Sequence, residues 1–293
     1  LVASKVGSKD QPILAKRGDD IRIDWGYLYV AAPKSAVSSR AFAGRGAVQN
    51  GFAENGLRSV TGSPEASATA DGICAAVALQ VDRVSKKPVT RWLMLAYDDL
   101  YSIQYMKKNL RPYWRRNGWE AADLLKASAK DYKSLKKDCT AFDEKLMADL
   151  TKAGGEKYAK LAALAYRQCF AAGKFVADDN GQPISFCKEN HSNGCIGTSD
   201  VFYPMAPQFL LFGPSVAKSF LVPFMNYAAS ERWRFPFAPH DLGQYPHANG
   251  QVYGGGERTE ENQMPVEESG NLLILMAAVA QMEGNADFAG QIG

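Results

Sequence analysis

From Ala121 to Leu150 apolar side chains return at three- and four-residue steps: Ala121, Leu124, Leu125, Tyr132, Leu135, Cys139, Phe142, Leu146 and Leu150. That period, held for about eight turns, predicts one long amphipathic helix, with Lys126, Lys130, Lys133 and Lys137 on its outer face. Gly154-Gly155 ends it, and Tyr158 to Ala172 starts a second, more uniformly apolar helix. Val216 to Ser230 and Asn271 to Met282 predict two more, while Lys174 to Ser199 reads as a loop with a turn at Asp179-Asn-Gly181. Long helices in antiparallel succession, separated by elaborate loops, predict a helical-hairpin array rather than a small bundle with short connections. Four or five helices with an apolar second face do not close a ring. The expectation is therefore part of a larger assembly, or part of a longer chain.

Upstream the period is that of strands. Ile21 to Ala32 alternates and is rich in β-formers; Ile73 to Val81 and Val89 to Tyr97 are further apolar runs. Gly44 to Thr69, rich in Gly, Ser and Ala, reads as hairpin connections and loop. The fold class expected is multidomain α and β. A β-sandwich-like region spans 1–104, and a helical-hairpin domain, incomplete as it stands, spans 105–293.

With 46% hydrophobic residues the chain can fill a core, and a net charge of +3 gives no electrostatic case for nucleic acid. Lys107 to Arg116, interleaved with Tyr113 and Trp114, reads as a solvated edge. Five cysteines with no CxxC pair argue against structural zinc and against a disulfide framework. Cys187 and Cys195 flank a loop and could bridge in an oxidising compartment, whereas Cys139 and Cys169 read as buried helix residues. No apolar run reaches the ~20 residues a membrane span requires.

Chemistry concentrates in punctuated segments. Pro236 to Pro246 carries His240 and Asp241; Met264 to Asn271 carries Glu267, Glu268 and Asn271; Asn193 to Pro204 carries two glycines, Asp200 and Tyr203. Such loops carry chemistry because rigid neighbours hold them in place. Each has a plainer reading. Glu267-Glu268 could complement a helix dipole, worth ~0.3–1 kcal/mol, His240 could satisfy backbone carbonyls in a fixed turn, and the 193–204 stretch could be a solvent loop. Against the first, a carboxylate beside other carboxylates can be kept protonated and act as an acid or base near neutrality. Ser134-x-x-Lys137 lies mid-helix without companion motifs, and no G-x-S-x-G elbow exists, so Ser- or Cys-nucleophile hydrolysis is a minority reading. No metal is expected, because His240 and His247 lack the spacing of paired ligands. No cofactor is expected either.

Six blocks resemble, in order, the glutaminase A family of fungal and Bacteroides-type bacterial proteins. They are GDDIRIDWGYLYVA (18–31), LAYDDLYSIQYM (95–106), AGGEKYAKLAALAYRQ (153–168), FCKENHSNGCIGTSDVFYPMAP (186–207), FAPHDLGQYPHANG (237–250) and MPVEESGNLLIL (264–275). The resemblance implies a β-sandwich-like region followed by part of an (α/α)6 six-hairpin toroid, a secreted or periplasmic location, and hydrolysis of L-glutamine to L-glutamate and ammonia. The PHDLG segment also resembles one in glucosylceramidase-type glycosidases. By that analogy Asp200 and Glu268 are the acid/base candidates, with Glu267 as substitute. His240, Asp241, Tyr245, Asn271, Asn193 and Tyr203 are then the substrate-binding candidates, Asp241 holding the α-ammonium. A glycoside hydrolase and a non-catalytic glycan- or partner-binding module are the alternatives. The partner implied is a small molecule, an amino-acid amide or a sugar, and the missing parts of a longer chain would complete the site.

Overall fold

The computed structural model describes residues 1–60, 72–81, 85–189 and 191–292. It divides into two compact units, Leu1–Gln11, Asp24–Asp98 and Ala121–Ala129 in one, Pro12–Ile23, Asp99–Glu120 and Lys130–Gly293 in the other.

The first unit is strand-rich. It contains β1 (Val2–Gly7), β2 (Tyr27–Ala32), β3 (Val37–Gly44), α1 (Arg45–Asn55), β4 (Ile73–Leu79) and β5 (Met94–Asp98). β1, β2 and β5 form an antiparallel sheet in that order, and β3 and β4 a second antiparallel pair. Arg40 on β3 reaches the Ala3 carbonyl of β1 at 2.9 Å. The strand expected over Ile21 to Ala32 is shorter than its alternation implied. Gly26, at φ 88°, turns the chain just before β2, with its N–H held by Gln11 Oε1. The stretch expected as loop from Gly44 contains α1, closed by Gly56 at φ 68°. Val48 there packs with Ala41, Leu57 and Ala78 in a small apolar cluster. Residues 61–69 of that expected loop lie outside the described residues.

The second unit carries the larger core. Its elements are β6 (Ile103–Tyr105), β7 (Lys108–Leu110), the greater part of α2 (Ala121–Ala171), β8 (Gly173–Ala177), β9 (Pro183–Cys187), β10 (Cys195–Ile196), α3 (Ser199–Phe212), α4 (Pro214–Ala228), β11 (Gly243–Gln244), β12 (His247–Ala248), α5 (Pro265–Glu283) and α6 (Asp287–Ile292). α2 is broken at Gly155 (φ 80°, ψ 174°). The Phe142 and Tyr166 rings lie 5.9 Å apart. On one straight helix, 24 residues would separate them by about 36 Å, so the two arms fold back as a hairpin. The arms and α3 line a cleft of about 900 Å³ that includes Phe142, Tyr158, Tyr166, Met205 and Phe212. Leu135, Leu161 and Leu164 are exposed on the arms, and so is Cys139, which the helical period had placed inside; Cys169 is half-buried.

The expected loop from Lys174 contains the β8–β9 hairpin. Asp178 ties its turn by accepting from the Asn180 and Gln182 N–H groups, both at 2.8 Å. Phe202, Phe209, Phe220, Phe224, Leu275 and Val279 join α3, α4 and α5 in the core. Among the described residues no helix is long and apolar enough to cross a membrane. The fold class is thus mixed, with a strand-rich N-terminal region and a helical C-terminal part consistent with a six-hairpin domain.

Candidate active site

A five-stranded sheet of order β10-β11-β12-β6-β7 brings the 195–200 and 240–248 segments together. Cys195 pairs with Gln244 and Ile196 with Gly243. Outside the strands, Ser199 N–H donates to the His240 carbonyl and Leu242 N–H to the Ile196 carbonyl, both at 2.9 Å. These bonds set the first turn of α3, which bears Asp200, beside His240. The first turn of α5 reaches the same place: Ala238 N–H donates to Ser269 Oγ at 3.1 Å, one residue from Glu268.

Asp200, His240 and Glu268 thereby offer ligand atoms that all lie within 4.8 Å of one another. His240 Nε2 is 3.8 Å from Asp200 Oδ2 and 4.0 Å from Glu189 Oε1. Its other nitrogen, Nδ1, bonds to Asp241 Oδ2 at 3.1 Å. Asp241 is fully buried, and it accepts three backbone N–H bonds besides, from Gly243 (2.8 Å), Val252 (3.0 Å) and Tyr253 (3.1 Å). The imidazole is stacked on the Tyr253 ring, centroids 4.1 Å apart, and its backbone N–H is held by Gln251 Oε1 at 2.7 Å. This ring cannot swing. Gly243 is required in the turn: at φ 144°, a Cβ there would sit 2.0 Å from the His247 carbonyl oxygen.

Glu268 is wholly buried, and Oε1 has no hydrogen-bond partner; Oε2 has Asn271 Nδ2 at 3.5 Å. Burial pushes its pKa up to about 8, opposed by the His240 charge and reinforced by Asp200 and Glu267. Asp200 is less enclosed, its side chain 31% exposed, though Oδ1 is buried and unpartnered. Burial raises its pKa too; His240 opposes this and Glu189 and Glu267 add to it. For His240, burial by itself lowers the pKa. The Asp241 hydrogen bond and the charges of Asp241, Glu268 and Asp200 outweigh it and raise the value.

Of the remaining sequence candidates, Glu267 is exposed, one residue round the helix from Glu268. Asn271 sits one turn along α5, facing Glu268. Asn193 builds a turn, accepting from Cys195 N–H at 2.8 Å. Tyr203 packs half-buried against the main core. Tyr245 lines a separate hollow with Ile21, Ile103 and Phe186. Both Asp241 oxygens, expected to hold an α-ammonium, are engaged by four groups of the protein itself. Cys187 and Cys195 are free thiols, both buried; burial pushes Cys187 up to about 12. Glu189, Gln251 and Tyr253 were missed by the sequence reading. Glu189 had one signal, a lone acid just past the apolar strand Pro183–Cys187.

A helical-hairpin domain that holds an oriented imidazole between two carboxylates, preceded by a strand-rich domain, is the class these features define. Residues 155–292 match the glutaminase A six helical-hairpin domain, and residues 1–149 match a domain of unknown function, DUF5127. Residues 155–292 thus carry the six helical-hairpin domain of the glutaminase A family. It is 33% identical over 181 residues to glutaminase A of Aspergillus oryzae, covering 61% of this chain and 25% of that protein. It is 29% identical over 167 residues to a probable glutaminase of Arthroderma benhamiae, covering 57% of this chain and 19% of that protein. The chain thus spans a quarter or less of the length of these curated relatives.

Proposed function

We propose that the Asp200–His240–Glu268 site hydrolyses the side-chain amide of L-glutamine to L-glutamate and ammonia. The observation that carries this is the contrast between two neighbouring carboxyl groups. Glu268 is sealed, and its raised pKa keeps a proton on it at neutrality; Asp200 is partly open to solvent. Groups whose surroundings push their proton affinities apart divide the work of acid and base. Asp200 takes a proton from water as its oxygen bonds to the amide carbon. Glu268 gives its proton to the nitrogen as the C–N bond breaks, releasing ammonia. His240 Nε2, held by Asp241 and Tyr253, faces the reacting group and donates to the developing oxyanion. The names of the two relatives support this reading.

A second reading rests on one distance. Ligand oxygens of Asp200 and Glu268 within 4.8 Å are near the ~5–5.5 Å carboxyl separation of retaining glycosidases and well short of the ~6.5–9.5 Å of inverting ones. One assay separates the two: ammonia release from glutamine against release of aryl leaving groups from glycosides. For the amidohydrolase, Glu268→Gln lowers ammonia release by about 10²–10⁴-fold, whereas Glu267→Gln on the exposed side changes it by less than about threefold. Full ammonia release by Glu268→Gln ends the proposal.

A further inference from the structure

We infer that the pocket between Asp200, His240 and Glu268 is a binding site for a divalent ion of the zinc class, which inhibits by occupying the acid–base pair. The inhibitory consequence rests on the proposed acid–base roles; the binding itself does not.

Sequence spacing had argued against a metal because His240 and His247 are not a helical pair. The donors come instead from three separate segments: the first turn of α3, the 236–246 loop and the first turn of α5. Three observations point to a cation. First, Glu268 is completely buried with Oε1 unpartnered, and Asp200 Oδ1 is also buried without a partner. Buried oxygens of this kind carry a cost that a bound cation removes. Second, the His240 ring is presented as metal-binding imidazoles are. Nδ1 is tied to a carboxylate, itself fixed by three backbone N–H groups, which leaves Nε2 facing the two acids. A carboxylate behind the ligating imidazole fixes its tautomer and strengthens it as a donor. Third, three carboxylates (Glu189, Asp200, Glu268) gather round that imidazole, and among the described residues the ion pairs within 4 Å that reach this group come from His240.

Geometry admits the ion. Donors about 2.0–2.2 Å from a tetrahedral zinc lie about 3.4 Å from one another. His240 Nε2 and Asp200 Oδ2 stand at 3.8 Å, so they need close by less than ~0.5 Å, and the Glu268 oxygen, within 4.8 Å of both, by up to about 1.4 Å. One imidazole and two carboxylates form a donor set suited to zinc, cobalt or nickel rather than calcium, which takes oxygen alone. The ion displaces the proton at Nε2 and ties up both carboxylates, so neither can move a proton.

Chelator-stripped protein titrated with Zn²⁺ by calorimetry, and with Co²⁺ by visible absorption, tests this without reference to turnover. The expected result is one ion per chain. Affinity should fall by at least about tenfold in His240→Ala and in Asp200→Asn, the latter altering a partly exposed side chain as a safeguard against misfolding. It should fall about 10–100-fold in Asp241→Asn, which touches only the orienting group. His191→Ala, in the exposed Asp19/Asp20/His191 cluster, should bind as wild type. No binding, binding untouched by His240→Ala and Asp200→Asn, or binding lost in His191→Ala overturns the inference. The two readings fail separately. The expected binding pattern in a protein that never releases ammonia removes the glutaminase reading and keeps the metal site. Ammonia release at saturating Zn²⁺ with no ion bound does the opposite.

Discussion

Replacing Glu268 by Gln keeps the shape of the side chain and removes its proton equilibrium, which isolates one term in the pH dependence of stability. The folded pKa of about 8 stands against an ordinary 4.5. A folded group that holds its proton more tightly than the unfolded chain contributes stability at low pH. That contribution is lost as pH rises from the unfolded value through the folded one. At about 1.4 kcal/mol per unit, raising the pH from 5.5 to 7.5 costs the wild type roughly 2–3 kcal/mol through this group. Gln has no such dependence. Urea denaturation of both proteins at the two pH values, in chelator, should therefore show the variant gaining roughly 2–3 kcal/mol relative to wild type at pH 7.5. A difference in stability that stays level across this range refutes the reasoning, because it means Glu268 is ionised at no cost in the folded protein.

Other substitutions test the scaffold. Gly243→Ala forces a side chain into φ 144° with its Cβ 2.0 Å from the His247 carbonyl; expected is a loss of roughly 2 kcal/mol or more in unfolding free energy, with ammonia release falling as the turn behind His240 shifts. Phe224→Ala empties a fully buried position between α4 and the Phe202 ring and should cost about 3–5 kcal/mol by the same denaturation assay. Tyr253→Leu removes the ring stacked on His240; imidazole NMR titration should show a ring no longer held in one orientation, while a spectrum like wild type means the stack does not hold it.

Elements with one strong periodicity are legible in the sequence. The α2 arms were readable from their three- and four-residue steps and from the Gly154-Gly155 break, and β4 and β5 from their apolar runs. α3 was not. Pro204 and Pro207 lie inside it, and Pro204 has no N–H to give the Asp200 carbonyl one turn back. Packing of Phe202 and Phe209 overrides that penalty. α1 carries two glycines in its interior and is sustained by contacts with β3, which runs directly into it, and with β4, some eighteen residues further on. The β8–β9 hairpin lay within a stretch whose turn signal was visible but whose short strands were not.

By itself the chain determined the types of group available for chemistry and the short segments that carry them, because residue type and local punctuation are written in one dimension. Tertiary structure decided what each group became. Glu267 and Glu268 are neighbours in sequence, yet the helical turn, about 100° per residue, sends one into solvent and the other into the core. Asp241 is met by four partners that the local sequence does not announce. Glu189 comes within 4.0 Å of His240 only because a sheet joins segments some fifty residues apart. Burial, orientation and the meeting of charges depend on distances across the fold, and no local pattern of side chains encodes them.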